Sequence, residues 1–280
     1  MKKKGLFLTI ILVGLLLFSS CAGLRVNTEL KQLGIDFGNK DSILRLEQDS
    51  ALFKLWAHWK PIELLMTREE KKVVKKILKM DDEAVRNDFS KKFIKWFWER
   101  RDDNAYDGVI NEFKDNFYNR VVEAQARFAN TEDATTGRRC AYGRGWQTDL
   151  GMIYIALGEP FDKARYNVQD LMSFVGSSYQ YSALMPQEIE VWYYEVPEDF
   201  MSSLFNDQVA WIMFERDPSG YWRFGETTFS LFFNYENYYD IHSYFMTPSM
   251  TYGTYINDVH RLIEAVAESY IYDEDLEFEF

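Results

Sequence analysis

Through the first half of the chain, apolar residues recur at helical spacing. Ile110, Phe113, Phe117, Val121, Ala124 and Phe128 step by 3, 4, 4, 3 and 4, which predicts a helix over about 109–128. Phe89, Phe93, Trp96 and Phe97 lie at i, i+4, i+7 and i+8, one broad apolar stripe on a helix over about 82–101. Ahead of it, Thr67 and Glu70 form a T-x-x-E capping box that opens a helix carrying Val73, Val74, Ile77 and Leu78. Earlier still, Leu44, Leu52, Leu55, Trp56 and Trp59 recur at compatible spacing from Ile43 until Pro61 interrupts. Residues 131–144 are polar and Gly-containing, a loop by composition.

Beyond that loop the period changes. Stretches 152–157, 189–196, 209–214 and 221–233 are rich in β-branched and aromatic residues and predict strands. Asp217-Pro218-Ser219-Gly220 is a turn signal, so the last two predict a β-hairpin. Residues 162–186, with Gly176-Ser177-Ser178, predict a long connection. Ile256, Val259, Ile263, Val266 and Tyr270 step by 3, 4, 3 and 4, a final amphipathic helix. Helices first and strands afterward predict an α+β fold: an N-terminal helical part, an antiparallel sheet, then a C-terminal helix.

The first twenty-one residues follow another logic. Lys2, Lys3 and Lys4 precede an apolar run over 6–18, and Ser19-Ser20-Cys21 follows. Charged, hydrophobic and small-residue regions in that order mark a secretory signal. With the cysteine directly after, the segment resembles a bacterial lipoprotein signal, whose cleavage leaves Cys21 N-terminal and carrying lipid, palmitate included. An ordinary secretory signal with an incidental cysteine is the alternative. An uncleaved anchor is disfavoured, because the run is short of the ~20 residues a spanning helix needs. Phe18 stands where such signals usually have Leu. Ala22 and Gly23 follow the cysteine; by resemblance to Gram-negative lipoproteins they imply an outer-membrane protein facing the periplasm. The chain then divides into a signal peptide (1–20), a tether (21–42), a helical part (43–130), a sheet part (131–240) and a C-terminal helix with an acidic tail (241–280). With Cys21 lipidated, Cys140 has no intramolecular partner, so packing alone must hold the fold. Cys140 is expected to be buried.

Charge narrows the partners. The chain has 32 Lys and Arg against 44 Asp and Glu; losing the three Lys of 1–20 leaves 29 against 44, a net −15. Nucleic acid is excluded as a general partner, since phosphate contacts need clustered Lys and Arg. Electrostatic adhesion to anionic lipid is disfavoured too, so the lipid on Cys21 must supply the membrane attachment. Aromatics make up 17% of the chain, enough for a Phe, Tyr and Trp core or for a carbohydrate- or peptide-binding surface.

At 145–149 stands Gly-Trp-Gln-Thr-Asp, followed by Leu-Gly-Met-Ile-Tyr-Ile-Ala-Leu-Gly-Glu-Pro to residue 160. Upstream are Phe97-Trp98-Glu99-Arg100-Arg101-Asp102 and Asn111-Glu112-Phe113; downstream is Glu190-Val191-Trp192-Tyr193-Tyr194. On these residues the chain resembles the GWxTD domain of secreted bacterial proteins, over most of 65–235. It departs at Asp103, where the family tends to have Pro, and at Gly158-Glu159-Pro160-Phe161-Asp162, where it has a Gly-Pro-Pro-Asp turn. The resemblance implies an architecture and no activity.

Read physically, the pentapeptide is expected to be a strand entrance. Gly145 would supply a positive φ. Trp146 would wedge into the helix–sheet junction with its N–H on a buried carbonyl. Thr148 and Asp149 would accept backbone N–H groups, or Asp149 would pair with Arg100 or Arg101. The functional alternative makes Asp149, Asp102, Glu99 and Arg100 an acid/base constellation. No phosphate-binding, zinc-protease or nucleophile-elbow motif occurs, and His58, His242 and His260 share no metal-ligand spacing. His58, between Trp56 and Trp59, is expected to pack. No catalytic residue, metal or cofactor is expected. The acidic tail alternates Leu276, Phe278 and Phe280 with acids, either a strand for a partner's sheet edge or a frayed end.

Three functions compete. A non-enzymatic envelope scaffold or assembly partner for other envelope proteins leads. A glycan- or peptide-binding module using Trp192, Tyr193, Tyr235, Tyr238 and Tyr239 is second, and a hydrolase of envelope polymers third.

Overall fold

The elements follow from local capping. A computed structural model describes residues 26, 28–102, 111–129, 145–167, 188–197, 200, 209–216, 222–225, 252–272 and 278–280. The helices are α1 Lys40–Gln48, α2 Phe53–Ala57, α3 Lys60–Leu65, α4 Arg68–Ile77, α5 Glu83–Glu99, α6 Glu112–Phe128, α7 Asp149–Leu157 and α8 Tyr252–Ser269. The Thr67 capping box opens α4 with both halves made: Glu70 N–H donates to Thr67 Oγ1 (3.3 Å) and Thr67 N–H to Glu70 Oε2 (2.8 Å). Asp82 caps α5 at Ala84 and Val85, and Asn111 caps α6 at Lys114. The stretch before Pro61 is three pieces. Asp49 ends α1 and caps a 3-10 turn, Ser50–Leu52, and Pro61 sits in the first turn of α3, where its missing N–H is harmless.

Strands β1 Asp162–Asn167, β2 Glu188–Glu195, β3 Val209–Arg216 and β4 Trp222–Phe224 form one sheet in the order β1-β2-β3-β4, every neighbouring pair antiparallel. The fold is therefore α+β, with helices N-terminal, sheet next and a helix last, as the sequence predicts. β3 and β4 pair as the predicted hairpin, with Phe214 opposite Phe224. The turn at 217–220 lies outside the described residues.

Two elements differ from expectation. Residues 152–157 belong to helix α7, not to a strand. Ile153, Tyr154, Ile155 and Ala156 are all buried, so the segment shows no amphipathic period, and a short apolar run alone does not separate helix from buried strand. β1 lies inside the expected connection 162–186. It is an edge strand, exposed at most positions and carrying Lys163 and Arg165, so no apolar alternation announces it.

Aromatic rings fill the helical core. Trp56, Trp59, Phe93, Phe97, Phe117 and Tyr118 are buried; Trp56 meets Phe97 edge to face at 5.4 Å and Trp59 meets Trp146 at 5.7 Å. Residues 28–42 are not a free tether. Residues 28–32 are helical, Leu30, Ile35 and Phe37 are buried, and Phe37 lies 4.8 Å from Trp146. α8 and the residue after it join sheet and helices: Tyr255 stacks on Trp211 of β3 at 5.0 Å and its hydroxyl oxygen accepts Met213 N–H, while Tyr270, just past the helix end, meets Phe113 of α6 at 4.7 Å. Of the acidic tail, residues 278–280 are seated rather than frayed, since Phe278 packs against Phe93 and Trp96 of α5, and residues 273–277 lie outside the described residues. Among the described residues, no helix is long and apolar enough to cross a membrane. The signal segment with Cys21, the loop holding Cys140, and Tyr235, Tyr238, Tyr239 and His242 lie outside the described residues.

Candidate functional site

The Gly-Trp-Gln-Thr-Asp segment forms a helix start. Gly145–Gln147 makes a 3-10 turn, and Thr148 caps α7. Thr148 Oγ1 accepts Gly151 N–H (3.0 Å) and its hydroxyl donates to the Gly145 carbonyl (2.7 Å), while Gly145 N–H donates to Gln125 of α6 (2.9 Å). The expected backbone-binding role of Thr148 thus holds, at a helix instead of a strand. Gly145 is glycine for a different reason than expected: positive φ among the described glycines belongs to Gly34 and Gly158. A Cβ on Gly145 would stand 2.1 Å from the Ala124 carbonyl oxygen, and one on Gly151 1.9 Å from that of Gly145. The two glycines let α6, the 3-10 turn and α7 touch backbone to backbone. Trp146 is buried beside Trp59 and Phe37, inside the helical core.

Asp149 turns away from this contact toward the sheet. Its carboxylate accepts Phe224 N–H of β4 at 2.8 Å, tying the first turn of α7 to the sheet edge. The expected pair with Arg100 or Arg101 does not form. Burial pushes the Asp149 carboxyl up, against the opposing pull of the Phe224 N–H and the Arg223 charge. An acid with a raised folded pKa binds its proton more readily folded than unfolded, so its contribution falls as pH rises from its ordinary 3.8. Asp149→Asn keeps an acceptor for Phe224 and loses this titration. The variant is expected to gain on the wild type between acidic and neutral pH, measured as urea midpoints at both. An ion pair would drive the difference the other way.

Arg100 and Arg101 serve Glu70. Arg101 and Glu70 are wholly buried; the guanidinium donates to Glu70 Oε1 (2.7 Å) and Oε2 (2.9 Å), and to the carbonyls of Phe97 (2.9 Å) and Leu65 (2.8 Å). Arg100 reaches the same carboxylate at 3.3 Å. Glu70 therefore closes the cap of α4 and clamps the end of α5 at once. Only the first role is visible in the capping box.

Asp102 and Glu99 lie elsewhere, on the rim of an open cleft of about 400 Å³ with Glu47, Trp98, Asn111 and Lys114. Glu47 is its buried acid. It accepts Trp98 Nε1–H (2.8 Å) and the Tyr118 hydroxyl (3.0 Å) and pairs with Lys114. Burial first, then the Glu47 charge, pushes the Tyr118 phenol well up. Glu47 carried no sequence signal, being an ordinary helical acid whose partners come from α5 and α6. On the opposite side of α6, Arg127 and Lys163 beside Glu159 hold that carboxyl down to about 2, bridging α6 to β1.

Of the proposed binding aromatics, Trp192 is buried with its N–H on Glu190 (2.6 Å) and Tyr193 is half-buried. His58 faces solvent beside Glu63 instead of packing, because α2 ends there. Among the described residues, no group of three His, Cys, Asp or Glu is placed to hold a metal. No family model, curated protein or solved structure matches the chain.

Proposed function

We propose that this is a lipid-anchored protein of the cell envelope, held through Cys21, and a non-enzymatic scaffold or assembly partner for other envelope proteins. Its resemblance to GWxTD domains then reflects a shared framework. One observation carries the reading: the polar groups expected to form an acid/base constellation are not gathered, since Asp102 and Glu99 line one open cleft while Asp149 and Arg100 are engaged elsewhere. Asp149 holds the backbone of β4, and Arg100 and Arg101 hold Glu70. A hydrolase built on Asp149, Asp102 and Glu99 needs them around one substrate, and Asp149 is spent on the sheet. The net −15 of the mature chain fits attachment by acyl chains instead of by charge.

Photo-crosslinkers at Lys163 on β1 and Glu268 on α8, both exposed, are expected to capture discrete envelope proteins in cells. Recovery of peptidoglycan fragments with no protein partner would overturn the scaffold. Cys21→Ser is expected to abolish metabolic acyl labelling, and persistent labelling refutes the anchor.

A further inference from the structure

The C-terminus is seated on the molecule as a ligand would be. Phe278 places its ring 5.8 Å from Phe93 and 5.4 Å from Trp96, edge-on to both, and 6.2 Å from Phe89. Two residues on, Phe280 lies 5.7 Å from Phe89, and Lys76 of α4 sits over its ring at 3.4 Å. The two rings lie 5.1 Å apart and both meet Phe89, so one segment presents both to the same face. That face is the groove between α4 and α5, whose floor is the apolar stripe read from the sequence.

Charge matches as well. Asp273-Glu274-Asp275-Leu276-Glu277 precede the seated residues with four acids, and the end of α4 offers exposed Lys75 and Lys76, with exposed Lys79 in the turn beyond it. Reach is sufficient. Tyr272 N–H donates to the Arg100 carbonyl at the end of α5 (2.9 Å), from which Phe89 lies roughly 16 Å back along the helix. Six residues extended span roughly 20 Å. Yet the seat is shallow, since Phe280 remains 47% exposed.

We infer that the α4–α5 groove is a docking site for an acidic peptide segment with two Phe residues spaced one apart, occupied in cis by the chain's own tail. A partner segment of that chemistry displaces the tail and takes its place. This deepens the scaffold reading and rests on it, naming the face and the kind of partner segment. The tail acts as a tethered competitor at high effective concentration, so the groove admits only a segment that binds better or is itself tethered nearby.

The probe is a labelled peptide of sequence Asp-Glu-Asp-Leu-Glu-Phe-Glu-Phe, titrated by fluorescence anisotropy against the full-length protein. The tail variant Phe278→Ser/Phe280→Ser is expected to bind it at least about tenfold tighter than the wild type, whose own tail competes. Adding Lys76→Glu to that variant is expected to weaken binding by about threefold or more, through the lost ring contact and reversed charge. Equal affinity for wild type and tail variant, or no binding to the variant, overturns the inference. Should the double variant fail to fold, Phe280→Ser alone carries the comparison, because its half-exposed ring contributes little to stability. Failure here with crosslinked envelope partners at β1 or α8 would leave the scaffold standing; peptide binding without any cellular partner would sink the scaffold and keep the groove.

Discussion

Gly151→Ala is expected to destabilise the protein by at least about 3 kcal/mol, with Gly145→Ala close behind. A methyl group on Gly151 would stand 1.9 Å from the Gly145 carbonyl oxygen and 2.9 Å from its carbon; one on Gly145 would stand 2.1 Å from the Ala124 carbonyl oxygen and 2.6 Å from Ala129 N. All four neighbours are backbone, so no side chain can rotate aside. Relief requires α7 or α6 to move bodily. That movement would break the Thr148 bonds to Gly145 and Gly151 and the Gln125 bond to Gly145. Gly38→Ala is the control, since its Cβ meets only Asp36 Oδ1 at 3.3 Å. Denaturant unfolding reads both. A Gly151→Ala variant within 0.5 kcal/mol of wild type, about the scatter of ordinary surface substitutions, would overturn the close contact of α7 with the 3-10 turn, and a Gly145→Ala variant equally mild would overturn that of the turn with α6.

This contact explains why the pentapeptide was only half legible. Its residue types announce a backbone junction, and Thr148 performs the predicted kind of bond. The partner element was hidden, because α7 is buried on every side and its apolar run carries no period. Helices α5 and α6 are the converse: each buries one face, so a 3.6-residue period survives in the sequence. β1 failed for the opposite reason to α7, being an edge strand whose outward residues are charged. Residues 28–37 read as a tether because their three buried side chains, Leu30, Ile35 and Phe37, follow no single period across two turns. The partner of Arg101 was out of reach in the same way. Local pattern identifies Glu70 as a cap, and only tertiary folding brings it to a guanidinium 31 residues away.

Breaking that buried pair is expected to be the second large effect. Arg101→Met leaves Glu70 as a buried carboxylate with Arg100 at 3.3 Å and removes the donors to Phe97 and Leu65. The expected loss is about 3–5 kcal/mol, typical of stripping one partner from a buried ion pair. Glu70→Met should cost a similar amount, since it strands a guanidinium and also removes half of the capping box. The double variant Glu70→Met/Arg101→Met should lose far less than the two single losses together, because no buried charge is left alone and the methionines refill the volume beside Phe97. A double-mutant cycle by urea unfolding measures the coupling. Additive losses would mean that the two residues act independently, and an Arg101→Met loss below about 1 kcal/mol would place the ion pair among the weak surface kind. A cooperative cycle would make the Glu70–Arg101 clamp the element that sets α5 against α4. The same variants then bear on the groove between those helices: if the clamp sets its width, Arg101→Met should weaken octapeptide binding in the tail variant even where the protein remains folded.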